Sequence, residues 1–275
     1  MKILVIVQAR CSSTRLPEKV LLRAAGETLL VHQLNRIAAA TIPWKTIVAT
    51  TTDGIDDAIV SLCNKNSIPV YRGHPTDLLD RHYQAALAFG ADVVVKIPSD
   101  CPLIDPLIID RVLQFFLSNP TAYDYVSNLH PATYPDGNDV EVMHLDVLHN
   151  AWLHAQKSFE REHTTPFIWD NPSNFHIGNV IRPDKTDYSM THRWTLDYPE
   201  DYEFIRTIYG HLFHKNPLFS MNDILQLLTE HPEISDINSL FIGTNWYHNH
   251  FGELKTITAN NTKNINNIPS LSSTL

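Results

Sequence analysis

The first 120 residues alternate between short apolar runs and amphipathic stretches. Residues 2–8 (KILVIVQ) are almost continuously apolar and end in a polar loop, which predicts a strand buried on both faces. Leu30, Leu34, Ile37 and Ala38 then recur at helical spacing, and residues 46–51 (TIVATT) are β-branched and short. Asp53 reads as an N-cap, with Asp56 three residues on and Ile55, Ala58, Ile59 and Leu62 along one helical face. A brief strand at 68–71, a helix striped by Leu79, Tyr83 and Ala86, and a buried strand at 91–97 (ADVVVKI) continue the rhythm. Asp105–Pro106 pairs an N-cap with a first-turn proline and opens a helix bearing Ile108, Val112, Phe115 and Phe116. This βα repetition predicts an α/β fold with a mostly parallel sheet and right-handed crossovers.

The rhythm changes after Pro120. Strands are expected at 123–128 and 139–144, joined by the turn-rich PATYPDGN, followed by helices at about 144–158 and 161–170. A strand near 174–181, another at 192–196, and a helix opened by Pro199 complete the pattern. The expected organisation is one body over residues 1–240, within which about 125–190 forms a smaller inserted lobe. Residues 241–275 form a C-terminal extension. From about 255 it holds five Asn, no acid and no aromatic residue, and is expected to be largely disordered.

Composition removes several classes of function. The chain has 275 residues, 43% of them hydrophobic, which is ample for a core. Neither GxGxxG nor GxxxxGK[ST] occurs among only nine glycines. Three cysteines without a CxxC pair make neither a disulfide framework nor a zinc set and suit a reducing cytoplasm. No apolar stretch is long enough for a membrane span, and the opening segment reaches Arg10 too soon for a signal peptide. A net charge of −9 argues against a nucleic-acid surface. Yet Arg10, Arg15, Lys19 and Arg23 crowd residues 10–23 beside a single acid, Glu18. Such an island suits a small anionic ligand; the plainer alternative is a solvated basic loop.

Ligands of a parallel sheet bind beyond the carboxyl ends of its strands. After the first strand comes Gln8-Ala9-Arg10-Cys11-Ser12-Ser13-Thr14-Arg15-Leu16-Pro17-Glu18-Lys19. Small residues let backbone amides approach an anion, and Arg10 and Lys19 add a bidentate fork and a point charge. After the strand at 91–97 come Asp100 and Asp105, a carboxylate pair of the kind Mg²⁺ takes together with phosphate oxygens. Asp105 has the competing reading of an ordinary N-cap, and Asp197, before Tyr198-Pro199-Glu200, that of a helix-entry turn.

These loops carry a resemblance. QARCSSTRLPEKVLL is similar to the opening signature of the cytidylyltransferases that activate 3-deoxy-manno-octulosonate and acylneuraminates, particularly the branch of spore-coat polysaccharide biosynthesis protein F. VATTTDGIDD, VYRGHPTDLLDRHYQA, VVVKIPSDCPLIDP, DYVSNLHPATYPDGNDVEV, REHTTPFIW and RWTLDYPEDYEFIR follow in family order over roughly residues 1–210. The resemblance implies a three-layer, GT-A-like and Rossmann-like nucleotide-diphospho-sugar transferase fold and a cytoplasmic homodimer. It assigns Ala9, Arg10, Ser12, Ser13, Lys19, Arg72 and Asp100 to the nucleotide, and Asp100 and Asp197 to Mg²⁺. Asn128, Asp139, Glu141, Arg161, Glu162 and His163 would face the acceptor, and Arg10, Lys19, Asp100 and Asp197 would carry catalysis. Two departures stand out: Glu18 replaces a usual glycine, and Ser99 stands where many relatives have glycine.

The implied reaction is attack of an acceptor oxygen on the α-phosphorus of CTP with loss of pyrophosphate, for surface polysaccharide synthesis. The expected acceptor is a nonulosonic or octulosonic acid; a phosphate or phosphonate would use the same parts. A GT-A glycosyltransferase is a rival, although no DxD occurs among the twenty aspartates. A non-catalytic nucleotide-binding protein is another. His248 and His250 match no HExxH spacing and read as surface residues.

Overall fold

The computed structural model describes residues 1–42 and 44–263. In chain order the elements begin with β1 (Ile3–Gln8), a small hairpin of β2 (Arg23–Ala24) and β3 (Glu27–Thr28), α1 (Leu29–Ala38), β4 (Lys45–Thr51) and α2 (Asp57–Lys65). Then come β5 (Val70–Gly73), α3 (Leu78–Phe89), β6 (Val93–Pro98), α4 (Pro106–Leu117), β7 (Tyr125–Ser127), β8 (Glu141–His144) and α5 (Leu145–His154). The chain continues through α6 (Ser158–His163), α7 (Pro166–Trp169), β9 (Ile177–Asn179), α8 (Pro199–Leu212), α9 (Met221–Glu230) and α10 (Glu233–Asp236).

Seven strands form one sheet in the order β5-β4-β1-β6-β8-β7-β9. Strands β5, β4, β1 and β6 are parallel, β8 is antiparallel to both neighbours, and β9 pairs in parallel with β7. The apolar run of β1 is explained by helices on both sides. Val5 and Val7 pack with Leu34 of α1, Ile59 of α2 and Val112 of α4, while Leu4 and Ile6 meet Leu79 of α3 and Leu148 of α5. Each such fully buried side chain contributes about 1.5–3 kcal/mol. A third apolar cluster joins Trp194 and Leu196 to Phe204, Ile205 and Ile208 of α8 and Ile224 of α9. These are the three layers expected of the α/β fold. The stretch expected as an inserted lobe, about 125–190, also lengthens the main sheet, because β7, β8 and β9 belong to it.

Several local expectations are corrected. Residues 192–196 are no strand: only an isolated bridge joins Arg193 to Asp136. The segment is extended because Trp194 N–H donates to the Asp136 carbonyl at 2.7 Å and Leu196 N–H to the Asp100 carbonyl at 2.9 Å, which ties three loops together instead of building a ladder. The expected helix at 161–170 is two, α6 and α7, broken where Thr164 takes φ 74° just before Thr165-Pro166. Asp53 makes no side-chain cap, and Ile55 is exposed. Asp105 does cap α4, accepting from Leu107 N–H at 2.8 Å.

The expected disorder from about 255 is corrected over 255–263; residues 264–275 lie outside the described residues. The buried Asp170 carboxylate accepts from Lys255 N–H at 2.9 Å, Thr256 N–H at 2.8 Å and Thr256 Oγ1 at 2.8 Å. Leu254 is buried, and Lys263 N–H donates to the Gly243 carbonyl at 2.7 Å. The polar composition hides this ordering because it comes from hydrogen bonds to the body, not from an apolar stripe. Asp170→Ala therefore lowers stability by roughly 2–4 kcal/mol in urea unfolding, since hydrogen bonds to a charged group are strong. Limited proteolysis of that variant cuts within 243–263 before the body unfolds.

Candidate active site

The loops beyond the carboxyl ends of β1 and β6 meet the extended 193–197 segment in a cleft of about 1030 Å³. The loop after β1 is held from below by Asp56. Its carboxylate accepts from Cys11 N–H at 2.7 Å, Thr51 Oγ1 at 2.5 Å and Thr51 N–H at 3.2 Å. Burial, then Asp56, pushes the Cys11 thiol up to about 12, so it is an inert packing group. Glu18 has φ 54°, a left-handed conformation. The glycine common at this position in the resembling family suits that backbone; Glu18 adopts it at a cost. Ser99 is not among the residues with positive φ, so its backbone does not require glycine.

Lys19 Nζ donates to Asp197 Oδ1 at 2.9 Å and to the Leu196 carbonyl at 2.7 Å, and lies 3.6 Å from Asp100 Oδ2. Arg15 Nη2 reaches the same Asp197 oxygen at 2.7 Å. Asp197 is free for this because Asp201 performs the helix-entry capping: its Oδ2 accepts from Asp197 N–H and Tyr198 N–H at 3.0 Å each. Beneath them, buried Arg193 grips Asp201 with Nε at 2.8 Å and Nη2 at 2.9 Å, and reaches Asp136 at 3.3 Å and Asp197 Oδ2 at 3.6 Å. Gly137 (φ 105°) lets the 136–138 turn approach: a Cβ there would lie 2.7 Å from Thr195 N.

Burial opposes ionisation of Asp197, but Lys19 and Arg15 outweigh it and hold the carboxyl at about 2. Burial likewise disfavours the Lys19 ammonium, and Asp100 and Asp197 more than restore it. Asp136 and Asp139 sit deep with one edge toward the cleft. Burial and then Asp100 push Asp139 up to about 7; burial, against Arg193, raises Asp136. Among the described residues no group of three or more His, Cys, Asp or Glu forms a metal cage. Mg²⁺ needs only one or two carboxylates when phosphate oxygens complete its shell. The hard oxygen donors Asp100 and Asp197, both in the cleft lining, fit that requirement.

Of the residues expected from sequence, Ala9, Arg10, Ser12, Ser13, Lys19, Asp100 and Asp197 line this cleft, as do Asn128, Asp139, Glu141, Glu162 and His163. Two are corrected. Arg72 is not in the cleft lining; it clamps the loop after β4, donating to the Thr51 carbonyl at 2.9 Å, the Asp53 carbonyl at 2.9 Å and Asp57 at 2.7 Å. Arg161 likewise binds Asp77 with Nε at 2.8 Å and Nη2 at 2.6 Å, tying α6 to the start of α3. Asn128 reaches the cleft, but its amide is spent pinning the turn, at 2.7 Å to the Asn138 carbonyl and 3.0 Å from Val140 N. Glu141 is paired with Lys96 and accepts from the Tyr125 hydroxyl at 2.6 Å; despite burial, Lys96 keeps its carboxyl low. His163 stacks on Trp246 at 3.9 Å, and burial followed by Lys96 lowers it to about 3, so it is neutral.

Sequence reasoning missed Arg81, Arg193 and the aromatic wall from the extension. Arg81 is 1% exposed and lines the cleft; its Nε has no partner, and burial, then Arg10, lowers it to about 10. No carboxylate among the described residues lies within ion-pair distance of Arg10 or Arg81. Gln8 Oε1 is a second orphaned polar atom in the lining. Arg81 and Arg193 lie inside the VYRGHPTDLLDRHYQA and RWTLDYPEDYEFIR segments, close in sequence to Arg72 and Asp197.

The sequence pattern of a cytidylyltransferase family matches residues 4–230. The chain is 28% identical to spore coat polysaccharide biosynthesis protein SpsF of Bacillus subtilis over 236 residues, 84% of this chain and 95% of that one. It is 35% identical to the 3-deoxy-manno-octulosonate cytidylyltransferase of Trichlorobacter lovleyi over 120 residues, 44% of this chain and 47% of the relative. A solved cytidylyltransferase from Leptospira borgpetersenii superposes with a TM-score of 0.79 at 31% identity, covering 85% of this chain and 96% of that one.

The depressed carboxyl of Asp197 has a stability consequence. A folded value near 2 against 3.8 unfolded contributes roughly 2 kcal/mol, present above pH 4 and lost as pH falls toward 2. Urea unfolding of Asp197→Asn between pH 2 and 5 therefore shows a flatter pH dependence than the unsubstituted protein.

Proposed function

The chain belongs to the cytidylyltransferase family, and from that premise we propose that it transfers CMP from CTP to an oxygen of a small acidic sugar and releases pyrophosphate. The observation that carries this reading is the meeting of Lys19, Asp100 and Asp197 at the mouth of the loop after β1. The likeness to a spore coat polysaccharide protein and to an octulosonate cytidylyltransferase supports a sugar-acid acceptor in surface polysaccharide synthesis.

In the proposed reaction the acceptor oxygen forms a bond to the α-phosphorus as the bond to the β-phosphate oxygen breaks, and the acceptor proton leaves to solvent. Arg10 and Arg81, the cleft cations without carboxylate partners, hold anionic oxygens of the bound substrates. Lys19 stabilises the charge that develops on the leaving pyrophosphate. Asp100 and Asp197 would hold Mg²⁺, which neutralises charge at the phosphates. Buried Arg193, through Asp201, fixes the backbone from which Asp197 projects. Positioning and electrostatics supply the acceleration, so no nucleophilic side chain is required. The three cysteines are free, in keeping with a reducing cytoplasm, and no helix among the described residues is long and apolar enough to cross a membrane. A homodimer belongs to the same proposal, and light scattering checks it.

The test is pyrophosphate release from each of the four nucleoside triphosphates, with Mg²⁺ and a panel of octulosonic and nonulosonic acids. CTP is expected to be preferred, with release dependent on the acceptor. Asp100→Asn and Lys19→Met each lower kcat by about 10²-fold or more. Arg72→Gln, which touches only the loop after β4, keeps KM for CTP within about threefold. Release of a nucleoside mono- or diphosphate from a sugar nucleotide, without pyrophosphate from CTP, would overturn the reading.

A further inference from the structure

The family match ends at residue 230, yet Gly243, Trp246, Tyr247 and Asn261 line the same cleft as Lys19 and Asp100. This extension is built in, not draped. Arg193 Nη1 donates to the Thr244 carbonyl at 3.0 Å, Asn245 Oδ1 accepts from Tyr247 N–H at 3.1 Å, and Asp170 holds residues 255 and 256. The arginine that braces the Asp197 turn therefore also places this wall.

Five rings make up the wall. Trp246 is stacked on His163 at 3.9 Å and 10°, and His130 on Trp169 at 4.1 Å and 23°. Tyr247 stands edge-on between them, 4.7 Å from Trp246 and 5.9 Å from Trp169. All five line the cleft, and Trp246 and Tyr247 are only half buried. The Tyr247 hydroxyl has no hydrogen-bond partner among the described residues, nor is it sealed off as a buried orphan. It is the pattern of a site that accepts a ring against an apolar face and one hydrogen bond at its edge.

We infer that residues 243–261 form the acceptor wall of this enzyme and that Trp246 and Tyr247 determine its acceptor specificity, selecting a pyranose-like ring with a hydroxyl or acylamido edge. The inference rests on the transferase reading and adds to it where the acceptor ring sits. The nucleotide is assigned to the loop after β1 with Arg10 and Arg81, which line the same cleft as the wall.

Calorimetry with CMP and with CMP-N-acetylneuraminate tests this without turnover. The unsubstituted protein is expected to bind the sugar nucleotide about three- to tenfold more tightly than CMP, the contribution of one aromatic contact and one hydrogen bond. Trp246→Leu removes the aromatic share and Tyr247→Phe the hydrogen-bond share, each lowering the advantage at least about twofold, and both leave the Kd for CMP within about twofold. Tyr247→Phe keeps the ring and its packing, so it remains informative if Trp246→Leu folds poorly; circular dichroism reports folding of both. An advantage that persists undiminished in Tyr247→Phe, an equal loss for CMP and CMP-N-acetylneuraminate, or no preference in the unsubstituted protein overturns the inference while leaving nucleotide binding intact. Failure of CMP itself to bind overturns the transferase reading, and this inference with it.

Discussion

The Lys19 ammonium, placed between carboxylates 81 and 178 positions further along the chain, is the constraint from which the rest of the cleft follows. A half-buried ammonium is costly without compensation, and a half-buried pair of carboxylates more so. Each group is tolerable only because the others are present. Removing one leaves the remainder uncompensated, so the arrangement holds the loop after β1, the loop after β6 and the 193–197 segment together. Arg193 repeats the device one layer down, with Asp201, Asp136 and Asp197 around a single guanidinium. The chain thereby joins two strand ends and the extended 193–197 segment into one cleft floor.

That economy of charge divides the cations in and around the cleft into committed and available groups. Lys96 is spent on Glu141, Arg161 on Asp77 and Arg72 on Asp57, so these cations maintain structure. Arg10 and Arg81 have no such partner and repel one another, a state that an anionic ligand relieves. On the carboxylate side, Asp136 is paired with Arg193, whereas Asp139 has no cation within ion-pair distance among the described residues and burial favours its neutral form. The aromatic wall, to which the extension contributes Trp246 and Tyr247, lines the same cleft. The cleft therefore combines charged groups with ring surfaces.

Much of this was legible in the sequence, for physical reasons. The central strands announce themselves because helices on both faces force unbroken apolar runs, as in residues 3–8. The basic island at 10–23 stands out because the surrounding chain is acidic. Asp100 and Asp197 were readable through their motifs, and Asp197 lost its capping alternative only when Asp201 was seen to do that work. Arg72 and Arg161 misled because an arginine near a strand end looks the same in sequence whether it awaits a ligand or clamps a turn. Only three-dimensional pairing with Asp57 and Asp77 separates the cases. Residues 192–196 read as a strand, yet the backbone N–H groups of Trp194 and Leu196 go to two loops, at Asp136 and Asp100, and build no ladder. The extension was hardest to read. Its order derives from the Asp170 carboxylate and from backbone hydrogen bonds, none of which leaves a periodic trace, and its Asn-rich composition points the other way.

The most direct measurement is a crystal structure of the chain with CTP and Mg²⁺. The account predicts the triphosphate against the loop of residues 10–19, with the metal on Asp100 and Asp197. A triphosphate seated elsewhere, or a metal bound without either carboxylate, would contradict it.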